Sequence, residues 1–170
     1  MVQLDSNEFT WLEASKPVLH DAEAGAGADL IRRRYVTVQA KRRLHQALFR
    51  ARVLHAYGRR CAVCLLPHEA LLHAAHIRPD SDELSEPTVR NGLALCLLHH
   101  GAFDANLMGI HPDGHIELSS RLGDTSVLPM SQHAFHAFAG RRIHTPVRRE
   151  HRPSPQFLEE RYRRFLGLAR

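Results

Sequence analysis

The 170-residue chain contains few cysteines and no long apolar run. It has three cysteines, an odd number, and two of them form the pair Cys61-x-x-Cys64, which argues against a disulfide framework and favours a metal site in a reducing compartment. No apolar run approaches the roughly 20 residues that a membrane-spanning helix needs. The polar, acidic segment from Met1 to Lys16 also lacks the basic and apolar regions of a signal peptide. We therefore expect a soluble, cytoplasmic protein with no membrane partner.

Acidic residues are missing from residues 32–60, which contain ten Lys and Arg residues. Residues 1–29 show the opposite bias, with six acids and one base, so most of the positive charge lies after them. A one-sided basic segment repels itself unless a polyanion neutralises it, and the expected partner is therefore nucleic acid, here DNA. The alternative is a solvated basic helix face that binds nothing.

Local patterns divide the chain into three parts. We expect residues 1–35 to form an N-terminal arm or linker, because residues 22–28 are small and Gly-rich. Residues 36–125 are expected to form the core domain, and residues 126–170 a C-terminal helical extension that packs on that core.

Helical spacing predicts a first helix from Lys41 to Tyr57, ended by Gly58. Its expected apolar stripe consists of Leu44, Leu48, Phe49, Ala51, Val53 and Leu54 or His55. After this helix, we expect a strand at 70–77, a loop at 80–88 and a helix that starts near Leu97. A hairpin is expected around Pro112-Asp113-Gly114. The last two expected elements are a short helix at 132–139 and a helix from the cap pair Ser154-Pro155 to Leu168.

Two short motifs have the spacing of a zinc site. Cys61-x-x-Cys64 and Cys96-x-x-His99 each offer two ligands from one turn, and together they supply the four ligands that tetrahedral zinc takes. Four protein ligands leave no position for water, so we expect a structural Zn²⁺. The alternative is that Cys96 is a small core residue while Cys61 and Cys64 form a redox pair.

A longer pattern surrounds these motifs. It comprises Ala75-His76-Ile77, Asn91-Gly92-Leu93 and His99-His100. Over roughly residues 42–118 the combination resembles the HNH (ββα-metal) endonuclease family. Residues 49–57 and 99–104 are similar to a subgroup of predicted restriction endonucleases with a Cys-Cys-Cys-His zinc site, in which the nuclease domain often lies beside a reader of modified DNA. The resemblance implies an α+β fold, with a ββα-metal core, a structural zinc and flanking helices.

The chemistry of phosphodiester hydrolysis suggests roles for the remaining residues of the pattern. His76, late in a strand, is a suitable general base near neutral pH. His100 and Asp104 are four residues apart on a helix, so both face one spot and could share a divalent ion such as Mg²⁺ or Mn²⁺. The resemblance implies that Asn91 fixes the loop and orients the base. Taken singly, His76 could instead be a structural strand residue, Asn91 a turn former and Asp104 a surface acid.

One position departs from the family pattern. Family members commonly carry Asp or His before the base histidine as a further metal ligand, whereas this chain has Ala75, as the resembling subgroup does. This predicts a thinner metal shell that consists of His100 and Asp104 with waters and phosphate. His73 is expected to be structural or exposed, and a role as a further ligand is the alternative. Among the arginines, Arg78 is expected to clamp the scissile phosphate, and Arg50 and Arg52 to contact the DNA backbone.

The sequence therefore predicts a metal-dependent DNA endonuclease of the restriction type. A non-catalytic zinc ribbon that binds DNA and a toxin nuclease are the alternatives. One active site cuts one strand, so a homodimer is expected for double-strand cleavage, and a fused or separate reader domain would supply specificity for modified DNA.

Overall fold

A computed structural model describes residue 36, residues 43–79 and residues 88–167. The residues from 43 onwards belong to one compact unit, Lys41–Arg170. The expected arm at 1–35, and the expected loop at 80–88 except for Thr88, lie outside the described residues. Within the described part of the chain, no helix is both long enough and apolar enough to cross a bilayer.

The first helix, α1, covers residues 43–56 of the described chain and ends before Gly58, as expected. Its predicted apolar face was partly wrong. Leu44 and Leu48 are 59% and 47% exposed, and Ala51 and His55 are exposed as well. Of the predicted stripe, Phe49, Val53 and Leu54 are buried, and Tyr57, directly after the helix, is buried with them. These residues also recur at helical spacing. They face the sheet, and contact with the sheet determines which apolar side of α1 is buried.

The centre of the fold is a ββα unit. Strands β1 (Leu72–His76) and β2 (Gly92–Cys96) pair antiparallel, and helix α2 (Leu97–Asp104) follows β2 directly. All five β2 residues are buried, and α1 packs against the sheet at Gly92 through Val53 and Phe49. The predicted strand at 70–77 is shorter than expected, since Glu69–Leu71 forms a 3₁₀ turn. The α+β fold with a ββα core and flanking helices is confirmed.

A hairpin and a short helix follow the ββα unit. Strands β3 (Met108–Ile110) and β4 (Ile116–Leu118) pair antiparallel around the predicted turn. The helix expected at 132–139 begins earlier, as α3 (Pro129–Ala134), because proline suits the first helical position. It is then interrupted at Phe135, and a 3₁₀ turn at His136–Phe138 completes the segment.

Helix α4 (Pro155–Phe165) packs the C-terminal extension onto the core. Leu158 is buried, and the Phe165 ring lies so close to Gly109 that a Cβ atom there would be 2.5 Å from Phe165 Cδ1. Ser154 has the extended backbone of an N-cap, but its hydroxyl donates to Gln156 Oε1 and does not accept from the helix. The helix ends at Phe165, three residues before the predicted Leu168.

Candidate metal centre and catalytic cleft

The two predicted zinc motifs meet in space. The ligand atoms of Cys61, Cys64, Cys96 and His99 all lie within 4.8 Å of one another. The Cys96 Sγ atom is 3.1 Å from His99 Nδ1 and 4.0 Å from Cys64 Sγ. Two sulfur ligands each about 2.3 Å from a tetrahedral zinc would be about 3.8 Å apart, so the group fits such an ion. Within the described residues, it is the one group of three or more potential ligands that converges in this way.

The electrostatics of this group favour a bound cation. Hydrogen bonding to the Cys64 thiol holds the pKa of Cys61 well below its usual range, which favours the thiolate that metals bind. Burial opposes protonation of His99, but hydrogen bonds to Cys61 and Cys96 raise its pKa to about 10. The pocket between the thiols therefore attracts positive charge, either as a proton or as a metal ion.

His99 is held by a residue outside the predicted motif. Its Nε2 atom donates to the carbonyl oxygen of Ala134 at 2.8 Å, at the end of α3. A carbonyl can only accept, so Nε2 carries the proton and Nδ1 is left to act as a ligand. The sequence contains no signal for this contact, since the two residues are 35 positions apart and the partner is a backbone atom.

A second site lies in a cleft of about 410 Å³. Its lining residues come from β1 and the turn after it, from α2 and its C-terminal end, and from α4. They are Ala74, His76, Ile77, Pro79, His100, Asp104, Asn106, Arg161 and Arg164. Three residues expected from the sequence to act in hydrolysis, His76, His100 and Asp104, thus face one space. Asn106, Arg161 and Arg164 were not expected there.

His76 is the last residue of β1, where the strand opens into the cleft. Its imidazole stacks on the Phe49 ring of α1, with ring centroids 4.0 Å apart and planes 9° apart. The side chain is partly exposed and lines the cleft, while one face of its ring packs on Phe49.

Asn91 is fully buried and does not line the cleft. Its Oδ1 atom accepts from the Arg78 amide at 2.8 Å, and its Nδ2 atom donates to the Arg78 carbonyl at 3.1 Å. The Ile77 amide donates to the Asn91 carbonyl at 3.0 Å. These three bonds fix the backbone directly after His76, in agreement with a positioning role for the Asn91 amide.

His100 and Asp104 lie on adjacent turns of α2, with His100 Nε2 3.2 Å from Asp104 Oδ2. On its other edge, His100 Nδ1 is 3.2 Å from His73 Nδ1. Burial lowers the pKa of His100, the Asp104 carboxylate opposes this effect, and His73 adds to it. A neutral imidazole is the form that can bind a cation. The separation of the His100 and Asp104 atoms is close to the roughly 3 Å between neighbouring ligands of an octahedral ion with 2.1 Å bonds.

The three arginines expected to bind DNA differ in their contacts and in their exposure. Arg78 Nε donates to Glu160 Oε2 at 2.9 Å, and its guanidinium lies over the Phe157 ring. Arg50 donates to the carbonyl oxygens of Glu69 and Leu72 and so joins α1 to β1. Arg52 is exposed on α1. The structure thus gives Arg78 and Arg50 protein partners and does not place either in the lining of the cleft.

Comparison with known proteins agrees with this geometry. Residues 61–111 match the family model described as HNH endonuclease. A solved structure described as a modification-dependent TagI restriction endonuclease shares the fold, with a TM-score of 0.50 and 19% identity over 72% of this chain. The match covers 38% of the TagI chain. A search of curated proteins found no match.

Proposed function

We propose that the chain is a metal-dependent, restriction-type endonuclease that hydrolyses DNA phosphodiester bonds, and the match of residues 61–111 to the HNH endonuclease family model supports this proposal. The observation that carries the proposal is the convergence of His76, at the end of β1, with His100 and Asp104 of α2 on one cleft. A zinc ribbon that only binds DNA would have no use for this set of side chains.

DNA is the proposed substrate because the chain as a whole and the lining of the cleft are both basic. The net charge is +5, and residues 32–60 are free of acids. Among the described lining residues of the cleft, Asp104 is the acidic one, whereas Arg161 and Arg164 carry positive charge. Such a surface attracts a polyanion and makes its binding sensitive to salt.

In the proposed mechanism, His76 takes a proton from the attacking water. Its partly exposed ring and its place in the cleft suit this role, and stacking on Phe49 restricts the orientation of the imidazole. Asn91 acts indirectly, because its side-chain amide forms hydrogen bonds with the backbone that follows His76. The expected products carry 5′-phosphate and 3′-hydroxyl ends.

Two kinds of metal site fit the residues. We assign a structural zinc to Cys61, Cys64, Cys96 and His99, because three thiols and one imidazole are soft or borderline donors with tetrahedral spacing. We assign a divalent ion such as Mg²⁺ or Mn²⁺ to His100 Nε2 and Asp104, whereas His73 contacts the opposite edge of the His100 ring. When bound, this ion would stabilise the negative charge that develops on the phosphate.

The partners of the chain are further parts of the proposal. The TagI structure is described as modification-dependent, and we propose modified DNA as the substrate class of this chain, with a reader of the modification supplied by a fused or separate domain. We also propose a homodimer, since each cleft cuts one strand. Backbone contacts from Arg52 on the exposed face of α1 would add affinity without sequence preference.

A plasmid-cleavage assay tests the function. Supercoiled DNA with and without cytosine modification is incubated with the purified zinc-loaded chain, either without added metal or with Mg²⁺, Mn²⁺, Co²⁺ or Ni²⁺. We expect nicked or linear products with at least one added metal and none without. Tight DNA binding in a gel-shift assay with no cleavage under any metal would favour the zinc-ribbon alternative.

A further inference from the structure

The positive charge of the cleft comes largely from helix α4, which lies outside the segment that matches the HNH family model. Arg161 and Arg164 are three residues apart on α4, so they lie on one face of the helix, and both line the cleft. The arginine expected from the sequence to clamp a phosphate, Arg78, is held against Glu160 of the same helix.

Adjacent residues of α4 attach the helix to the two walls of the cleft. Glu160 accepts from Arg78, which follows the base-bearing strand. Arg161 donates to Asn106 Oδ1 and to the Phe103 carbonyl oxygen, at the end of α2, and its guanidinium lies 4.3 Å from the centroid of the Phe103 ring. The position of α4 relative to the proposed base and the proposed metal ligands is therefore fixed from both sides.

Arg161 is only 9% exposed, and its hydrogen bonds are directed at protein atoms, so it serves to position the helix. Arg164 is exposed and lies one turn further along the cleft wall. Burial lowers the pKa of Arg161, Asp104 opposes this effect, and the nearby charge of Arg164 adds to it. Two like charges on one wall repel each other, and an anion in the cleft would relieve that repulsion.

We propose that Arg164 binds a phosphate group of the DNA backbone within the cleft formed by His76, His100 and Asp104. A guanidinium suits this task because its planar donors match the oxygens of a phosphate. The inference rests on the proposed nuclease function and adds to it a residue from outside the HNH segment. Under this assignment, Arg78 holds α4 in place and Arg164 binds the phosphate.

The test compares Arg164→Ala with Arg163→Ala. Arg163 is the neighbouring residue, has the same charge and is exposed, but it does not line the cleft. We expect Arg164→Ala to lower the efficiency of plasmid cleavage by about tenfold to a hundredfold, as for the loss of a hydrogen bond between charged groups. Arg163→Ala should stay within about twofold of the parent. Equal cleavage by the two variants would overturn the proposal.

A binding measurement separates this inference from the nuclease function. The affinity of the zinc-loaded form of each variant for a short DNA duplex is measured without added Mg²⁺ or Mn²⁺ at several salt concentrations. Arg164→Ala should reduce the slope of log affinity against log salt by about 0.9, the value for one lost phosphate contact, and Arg163→Ala should reduce it less. If the parent binds DNA but cleaves nothing, the nuclease function fails, and these slopes still decide the role of Arg164. Should Arg164→Ala not fold, Arg164→Gln removes the charge with less loss of side chain and carries the same expectations.

Discussion

The imidazole of His76 lies flat against the ring of Phe49, with the two centroids 4.0 Å apart. One residue ends the first strand of the ββα unit, and the other is a buried residue of the preceding helix α1. Helix α1 thus supports the proposed general base directly. Because the stacked face is covered by Phe49, rotation of the imidazole out of the cleft would break this contact.

Replacing Phe49 should therefore impair cleavage more than DNA binding. In Phe49→Leu the stacked ring pair is lost, an interaction of about 0.5–1.5 kcal/mol, and we expect the cleavage rate at saturating DNA to fall by about twofold to tenfold. Leu48→Ala on the same helix is the control, since Leu48 is 47% exposed. The rates are measured in single turnover, well below the melting temperature of each variant. Unchanged cleavage by Phe49→Leu would mean that stacking does not orient the base.

The contact between α1 and β2 leaves no room for a side chain at residue 92. A Cβ atom on Gly92 would lie 2.4 Å from Val53 Cγ2 and 3.0 Å from Phe49 Cζ. We expect Gly92→Ala to lower the free energy of unfolding by about 1–3 kcal/mol, the usual cost of overpacking. In Gly101→Ala the new Cβ meets nothing within 4 Å, and this helical variant should be as stable as the parent or more stable. Denaturant melts of both variants check the prediction, and equal losses of stability would contradict it.

Metal removal should unfold the core around the Cys3His group. We expect one zinc per chain by elemental analysis, and a loss of several kcal/mol of stability on chelation, because binding of a structural zinc contributes directly to folding. His99→Ala should lose the zinc, whereas His144→Ala, which changes an exposed histidine outside the group, should retain it. A metal-free chain that melts at the same temperature as the zinc-loaded chain would argue against a structural ion.

Short-range spacing predicted much of the fold and of the site. In Cys61-x-x-Cys64 and in Cys96-x-x-His99, a single turn of backbone brings two ligands close together. The four-residue spacing of His100 and Asp104 likewise places both side chains on one face of α2. The β3–β4 hairpin was evident from its turn residues. In each case, the information lies within a few residues of the feature that it predicts.

The remaining features depend on which segments pack together. The predicted burial of Leu44 and Leu48 was wrong because the apolar residues of α1 span a wide stripe, and only the position of the sheet decides that the side with Phe49 and Val53 is buried. Arg78 meets Glu160 across 82 positions of the chain, so no local pattern could reveal that pair. Arg161 and Arg164 of α4 were missed for the same reason, since their sequence pattern alone indicates only the polar face of a C-terminal helix.

The most direct test of the account is the cleavage rate of His76→Ala under the metal that best supports the parent. His68→Ala is the matched control, because His68 is exposed and lies outside the cleft. We predict that His76→Ala binds DNA as the parent does but cleaves it at least about a hundredfold more slowly, the contribution expected of a general base, while His68→Ala cleaves normally. Cleavage by His76→Ala at the rate of the parent would contradict the assignment of His76 as the base.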